Sequence, residues 1–208
     1  MIGPGGRYLW YCIPKNASRT ISRMLSGVGA IRIVDVYPGL SGNDLASVGL
    51  SPSFTFAFVR NPYDRILSVW RNKVAPSEPT QNTLNIYAQH AGLHAEMPFD
   101  DFIEWLGDTH ERESPNKHWA PQSEFITDGV HLLPDFIGRL EDFDRDVRKL
   151  CSFIGPVGPS RRKNEADKSD GLSAATMSQR SREIIQQIYR KDFELLGYEL
   201  AVSPPPPP

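Results

Sequence analysis

Residues 54–70 read FTFAFVRNPYDRILSVW, and this stretch decides the fold. Phe54 to Val59 form an apolar run of strand length, dense in aromatic side chains and too short for a core helix, which predicts a buried strand. Arg60 stands where the run stops. Asn61 and Pro62 then open a helix, because proline is preorganised for the first helical position, and Tyr63, Ile66, Leu67 and Trp70 fall on one face of it. The order is strand, cationic turn, helix.

The same order appears earlier. Tyr8 to Ile13 is a run of large apolar residues bounded by Gly5-Gly6 and Pro14, and predicts a strand buried on both faces. The polar loop Pro14-Lys15-Asn16-Ala17-Ser18-Arg19-Thr20 follows. Ile21, Met24, Leu25 and Val28 then recur at helical spacing up to the stop signals Gly27 and Gly29. A further run, Ile31 to Val36, fits a parallel neighbour. Strands alternating with helices predict an α/β protein whose parallel sheet is covered on both faces. Farther on, residues 75–98 have little periodicity and read as a long loop or lid. Phe99, Phe102, Ile103 and Leu106 predict a helix, residues 130–138 a short strand with a proline break, and Val147, Leu150, Cys151 and Ile154 another helix. After the polar stretch Pro156 to Ser173, a final helix carries Ile185, Ile188, Tyr189, Phe193 and Leu196.

The chain has 208 residues, 39% hydrophobic, enough for one well-cored domain over 1–203, with residues 204–208 an extended polyproline tail. Its 23 Lys and Arg nearly balance 25 Asp and Glu, so nucleic acid is not an expected partner and any anion must be met locally. Cys12 and Cys151 lie in apolar runs without metal spacing and read as buried thiols of a cytoplasmic protein. No apolar stretch approaches the roughly 20 residues of a membrane span.

A loop that leaves a buried strand and opens a helix offers unpaired N–H groups at the positive end of the helix dipole, which suits phosphate. In residues 14–20, Lys15 supplies a point charge, Ser18 and Thr20 supply hydroxyls, and Ala17 permits close approach to the backbone. The same residues also read as an ordinary capped helix with Ser18 as N-cap. A Walker loop needs glycines and a Gly-Lys-Ser/Thr ending, which this loop lacks. Magnesium-nucleoside triphosphate chemistry is thereby disfavoured, although Asp35 near the end of a strand-like run could hold magnesium. In a parallel sheet both loops emerge at the carboxyl edge, so Lys15 and Arg60 can grip two phosphates of one nucleotide.

At these residues the chain resembles the sulfotransferases that use 3'-phosphoadenosine 5'-phosphosulfate, in particular the carbohydrate branch (sulfotransferase family 2). IPKNASRTI is similar to the family's 5'-phosphosulfate loop and FAFVRNPYDRILSVW to its 3'-phosphate motif. The similarity continues through PFDDFIEWL, HWAPQSEFI, DFIGRLEDF and IYRKDFELLGY, nearly the whole chain in order. The resemblance implies a P-loop-like three-layer fold with a central parallel sheet flanked by helices. It also implies that Lys15, Asn16, Ala17, Ser18, Arg19 and Thr20 hold the 5'-phosphosulfate and Arg60 and Ser68 the 3'-phosphate, with Lys168 in a segment that closes over the nucleotide.

The implied reaction is in-line transfer of a sulfuryl group to an acceptor hydroxyl of a carbohydrate or small metabolite. Charge grows on the departing phosphate oxygen, where Lys15 and helix N–H groups are the needed catalysts, and no metal is required. A general base must take the hydroxyl proton. Many relatives have a histidine shortly after the second strand, but Tyr37-Pro38-Gly39-Leu40-Ser41 contains none. His118 and Asp35 are the leading candidates, with Asp44 behind them. A P-loop kinase or hydrolase, and a non-catalytic nucleotide-binding protein of the same fold, are the competing readings.

Overall fold

The computed structural model describes residues 1–31, 42–47, 49–109, 116–159 and 171–200, the side chains of 42–44 excepted. Asp35, Lys168, the polyproline tail and the rest of the Ile31 to Val36 run after Ile31 lie outside these residues. In chain order the elements are β1 (Leu9–Tyr11), α1 (Ser18–Ser26), α2 (Gly42–Ser47), β2 (Thr55–Val59), α3 (Pro62–Lys73), α4 (Gln81–Gln89), α5 (Phe99–Thr109), α6 (Ser123–Ile126), β3 (Phe136–Arg139), α7 (Phe143–Ile154), α8 (Gln179–Ile188) and α9 (Arg190–Leu196). They fall into two compact units, residues 1–60 with 121–165 and residues 61–120 with 166–208.

The first unit is the expected α/β body, with its sheet flanked by helices. Among the described residues its sheet has the order β1-β2-β3 and is parallel throughout, with Leu9 opposite Thr55, Tyr11 opposite Ala57, and Val59 opposite Arg139. The aromatic-rich runs form strands because alternate side chains meet two different covers. Tyr8, Trp10, Phe56, Phe58 and Phe136 pack with Ile21, Met24 and Leu25 of α1 and with Phe143, Leu150 and Ile154 of α7. Leu9, Ala57 and Val59, on the opposite face, are buried too. Each such large side chain contributes about 1.5–3 kcal/mol by leaving water. Gly138 is opposite Phe58, and a Cβ there would come within 2.5 Å of the Phe58 ring, so the aromatic layer requires glycine at this position.

The N-terminal residues add an edge that the periodicity does not announce. Ile2 bridges both Leu9 and Ile31 in antiparallel fashion, so Ile31 enters the structure through Ile2. The cysteines also differ from expectation: Cys12 is exposed and Cys151 half-buried. Strand pairing stops at Tyr11, so Cys12 follows the last paired residue of its run.

The second unit is helical. Its core gathers Tyr63, Ile66 and Leu67 of α3, Phe102, Ile103 and Leu106 of α5, and Ile185 and Phe193 of α8 and α9, with Trp70, Trp105 and Trp119 packed in or against it. Residues 75–98 are not a plain loop, since they contain α4. Thr80 caps it by accepting from the Thr83 N–H, Thr83 and Ile86 are buried, and the Tyr87 hydroxyl donates to the Lys73 carbonyl at 2.6 Å. Only two buried positions support this helix, too few to give a periodic signal. The predicted last helix is two, α8 and α9, divided at Tyr189 (φ −103°, ψ 21°), whose hydroxyl donates to the Trp119 carbonyl at 2.6 Å. Among the described residues, no helix is long and apolar enough to cross a membrane.

Candidate functional site

The loop after β1 takes the sharp path of a phosphate loop without its glycines. Lys15 (φ 71°) and Ala17 (φ 54°) both adopt left-handed backbone, a conformation that crowds Cβ against the carbonyl and that glycine adopts without this cost. Successive N–H groups of such turns can form an anion-binding concavity, although the Asn16 N–H here donates to the Ile13 carbonyl at 3.4 Å. Ala17, not Ser18, is the N-cap of α1, and its methyl side chain makes no cap hydrogen bond. The first turn of α1 also contains no acidic residue, so the positive end of its dipole is not offset there. Lys15, Ala17 and Ser18 are half-buried, Arg19 is exposed and Thr20 is buried.

The turn after β2 is built differently. Asn61 caps α3, its side chain accepting from the Tyr63 N–H at 3.0 Å, with Pro62 in the first turn and Asp64 close behind. That helix end is satisfied internally, leaving Arg60, half-buried at the end of β2, as the cation of the turn.

The two loops are joined by side chains that continue the sheet where its strands stop. The Leu9 N–H donates to the Phe54 carbonyl at 2.9 Å, so even-numbered residues of this strand direct their N–H and C=O groups toward β1. Pairing with β1 ends at Ala57. Beyond it, Asn16 Nδ2 donates to the Phe58 carbonyl at 2.9 Å and to Gln122 Oε1 at 2.6 Å. Gln122 Oε1 also accepts from the Arg60 N–H at 3.0 Å, while its Nε2 donates to the Arg60 carbonyl at 2.7 Å. Asn16 is 1% exposed and Gln122 0%. The Asn16 side chain therefore faces the sheet rather than the outside of the loop. Among the described residues, Asn16 Oδ1 has no hydrogen-bond partner.

Gln122 escaped sequence reasoning. It lies in the quoted segment HWAPQSEFI, and its signal was a long amide between a proline and an apolar helix, at the N-cap of α6, whose N–H groups it does not cap.

Two other predicted residues belong to the second unit. Ser68 is half-buried in α3. His118 is half-buried in the turn before Trp119, with its Nδ1 2.7 Å from Asn116 Oδ1, which also accepts the His118 main-chain N–H at 3.1 Å. A carbonyl oxygen only accepts, so Nδ1 carries the proton and Nε2 the lone pair in the neutral ring. Arg65, 2% exposed, fixes this turn by donating to the carbonyls of Ala120 at 2.8 Å and His118 at 3.3 Å. His90 packs edge-on to Trp105 and Trp119, and His94 lies against the Ala95 carbonyl. Asp35, Lys168 and the Asp44 side chain are outside the described residues.

A helix opened by Ala17 after one strand, beside a cationic turn after its parallel neighbour, gives an α/β protein with a P-loop-like sheet edge. The chain belongs to the sulfotransferase family, whose model, described as "Sulfotransferase family", matches residues 41–199, beginning after the first loop. It is 28% identical to carbohydrate sulfotransferase 12 of Mus musculus, over 77% of this chain and 43% of that protein. It is 26% identical to carbohydrate sulfotransferase 14 of Danio rerio, over 93% of this chain and 60% of the relative. Carbohydrate sulfotransferase 11 of Danio rerio is 26% identical over 70% and 47%. The chain thus spans about half the length of these relatives.

Proposed function

We propose that this chain transfers a sulfuryl group from 3'-phosphoadenosine 5'-phosphosulfate to a hydroxyl of a carbohydrate. The carrying observation is the pair of anion-suited loops at one edge of adjacent parallel strands. The names of the relatives favour a carbohydrate acceptor. In this reading the Lys15–Thr20 loop and the end of α1 take the 5'-phosphosulfate, and Arg60 the 3'-phosphate, with Ser68 and Lys168 added by family resemblance. The acceptor oxygen attacks sulfur in line, the sulfur–oxygen bond to the phosphate breaks, and the bonding pair leaves on the phosphate oxygen. Lys15 and the N–H groups of α1 stabilise that developing charge. His118 is the proposed base and receives the hydroxyl proton on Nε2.

Calorimetry tests the nucleotide half. Adenosine 3',5'-bisphosphate binds the native chain, and Lys15→Ala and Arg60→Ala each weaken it by about tenfold or more, the equivalent of one lost charge-assisted contact. Preference for magnesium-ATP over this nucleotide would show a kinase or hydrolase instead. Turnover of the sulfated donor with a panel of carbohydrate acceptors tests the transfer, and its loss in His118→Ala tests the base.

A further inference from the structure

We propose that Gln122 is a positioning residue that fixes the two anion-gripping loops relative to each other, acting on the nucleotide only through Asn16 and Arg60. The inference rests on the donor proposed above.

Three features support this role. First, the Gln122 carboxamide is fully buried and bonds to both loops, with one oxygen accepting from Asn16 and from the Arg60 main chain and the nitrogen returning to the Arg60 carbonyl. Bonds to both the N–H and the C=O of Arg60 hold its backbone as a strand partner would, and so fix where its guanidinium begins. Second, Gln122 stands at the N-cap of α6 but makes no cap bond there, so its polar atoms serve the loops at the expense of its own helix. Third, Asn16 lies between the left-handed Lys15 and Ala17, and its only amide group is committed to Phe58 and Gln122 although its Oδ1 stays buried without a partner among the described residues. A buried acceptor left unmet is rare in native structures. Displacing a gripping side chain by about 1 Å costs far more in a preorganised site than in a flexible one.

The test compares the affinities of adenosine 3',5'-bisphosphate and adenosine 5'-phosphate by calorimetry, well below the melting temperature. Their ratio reports the 3'-phosphate grip of Arg60. Gln122→Met, similar in shape but without hydrogen bonds, is expected to shrink this ratio by about tenfold. Gln122→Glu retains the acceptor but not the donor to the Arg60 carbonyl, and is expected to fall between; it also serves if the methionine variant does not fold. A lower melting temperature with an unchanged ratio in the folded variants shows a purely structural residue and overturns the inference. If the native chain itself shows no preference for the 3'-phosphate, the proposed donor fails first and the role of Gln122 fails with it.

Discussion

Replacing Ala17 by glycine should stabilise the protein while loosening the loop after β1. At φ 54° and ψ 27°, Ala17 sits in the left-handed well with its Cβ against the following carbonyl. That contact costs an L-residue roughly 1–2 kcal/mol. Glycine avoids it but gives the unfolded chain about 0.4–1 kcal/mol more entropy to lose. Glycine is also the better N-cap of the two, which adds in the same direction. The balance is a gain of about 0.5–1 kcal/mol, which for a chain of this size raises the melting temperature by about 1–4 °C. Ala17→Val provides the opposite control, because a β-branched side chain is a severe outlier in the left-handed region. Thermal unfolding followed by circular dichroism ranks the three proteins glycine above alanine above valine. On the binding side, the freed loop must be ordered by the ligand, so the glycine variant binds adenosine 3',5'-bisphosphate more weakly despite its higher melting temperature. A glycine variant that melts at or below the native temperature refutes the strain assigned to this loop.

Asn16→Ala strips donors from the Phe58 carbonyl and Gln122 Oε1 in a dry site, and chemical denaturation should show a loss of about 2–4 kcal/mol. Gly138→Ala drives a methyl into the Phe58 ring, and the same measurement should show about 1–3 kcal/mol of overpacking cost. The Asp146 carboxyl is raised by burial, but hydrogen bonds from the Arg145 guanidinium and the Arg139 main-chain N–H outweigh this and hold it below its ordinary value. Ionised Asp146 therefore stabilises the fold above the unfolded carboxyl value near pH 4, and this contribution disappears as pH falls through the lower folded value. Asp146→Asn should unfold at lower denaturant than the native chain at neutral pH, and the two should converge in acid.

The strand-turn-helix units were legible because each carries a dense apolar run, a breaker and a helical face within one short window, as in residues 8–28 and 54–70. Such signals are local, and the geometry honoured them. What stayed hidden depends on partners distant in sequence. α4 is held by a cap and two buried positions, the break at Tyr189 accompanies a bond to Trp119, and the exposure of Cys12 depends on where pairing with another strand ends. The left-handed turns at Lys15 and Ala17 were not legible, because neither residue type announces left-handed backbone and Asn16, the loop residue whose type favours it, does not adopt it. The bonds of Gln122 were the hardest of all to foresee, since they go to two main-chain groups of Arg60 and the amide of Asn16, none near it in the chain.

The link between the loops has a consequence for how the protein is made. Asn16 and its amide partner are separated by 106 residues, and Arg60 and the same partner by 62, with the whole helical segment 61–120 between. Contacts of such long range close late, because the intervening chain must first lose its freedom. During synthesis, a nascent polypeptide halted before Pro121 can build both turns but cannot lock them together. If the proposed donor is right, competence to hold it should emerge only when the chain returns to the sheet, well after the first loop has left the ribosome.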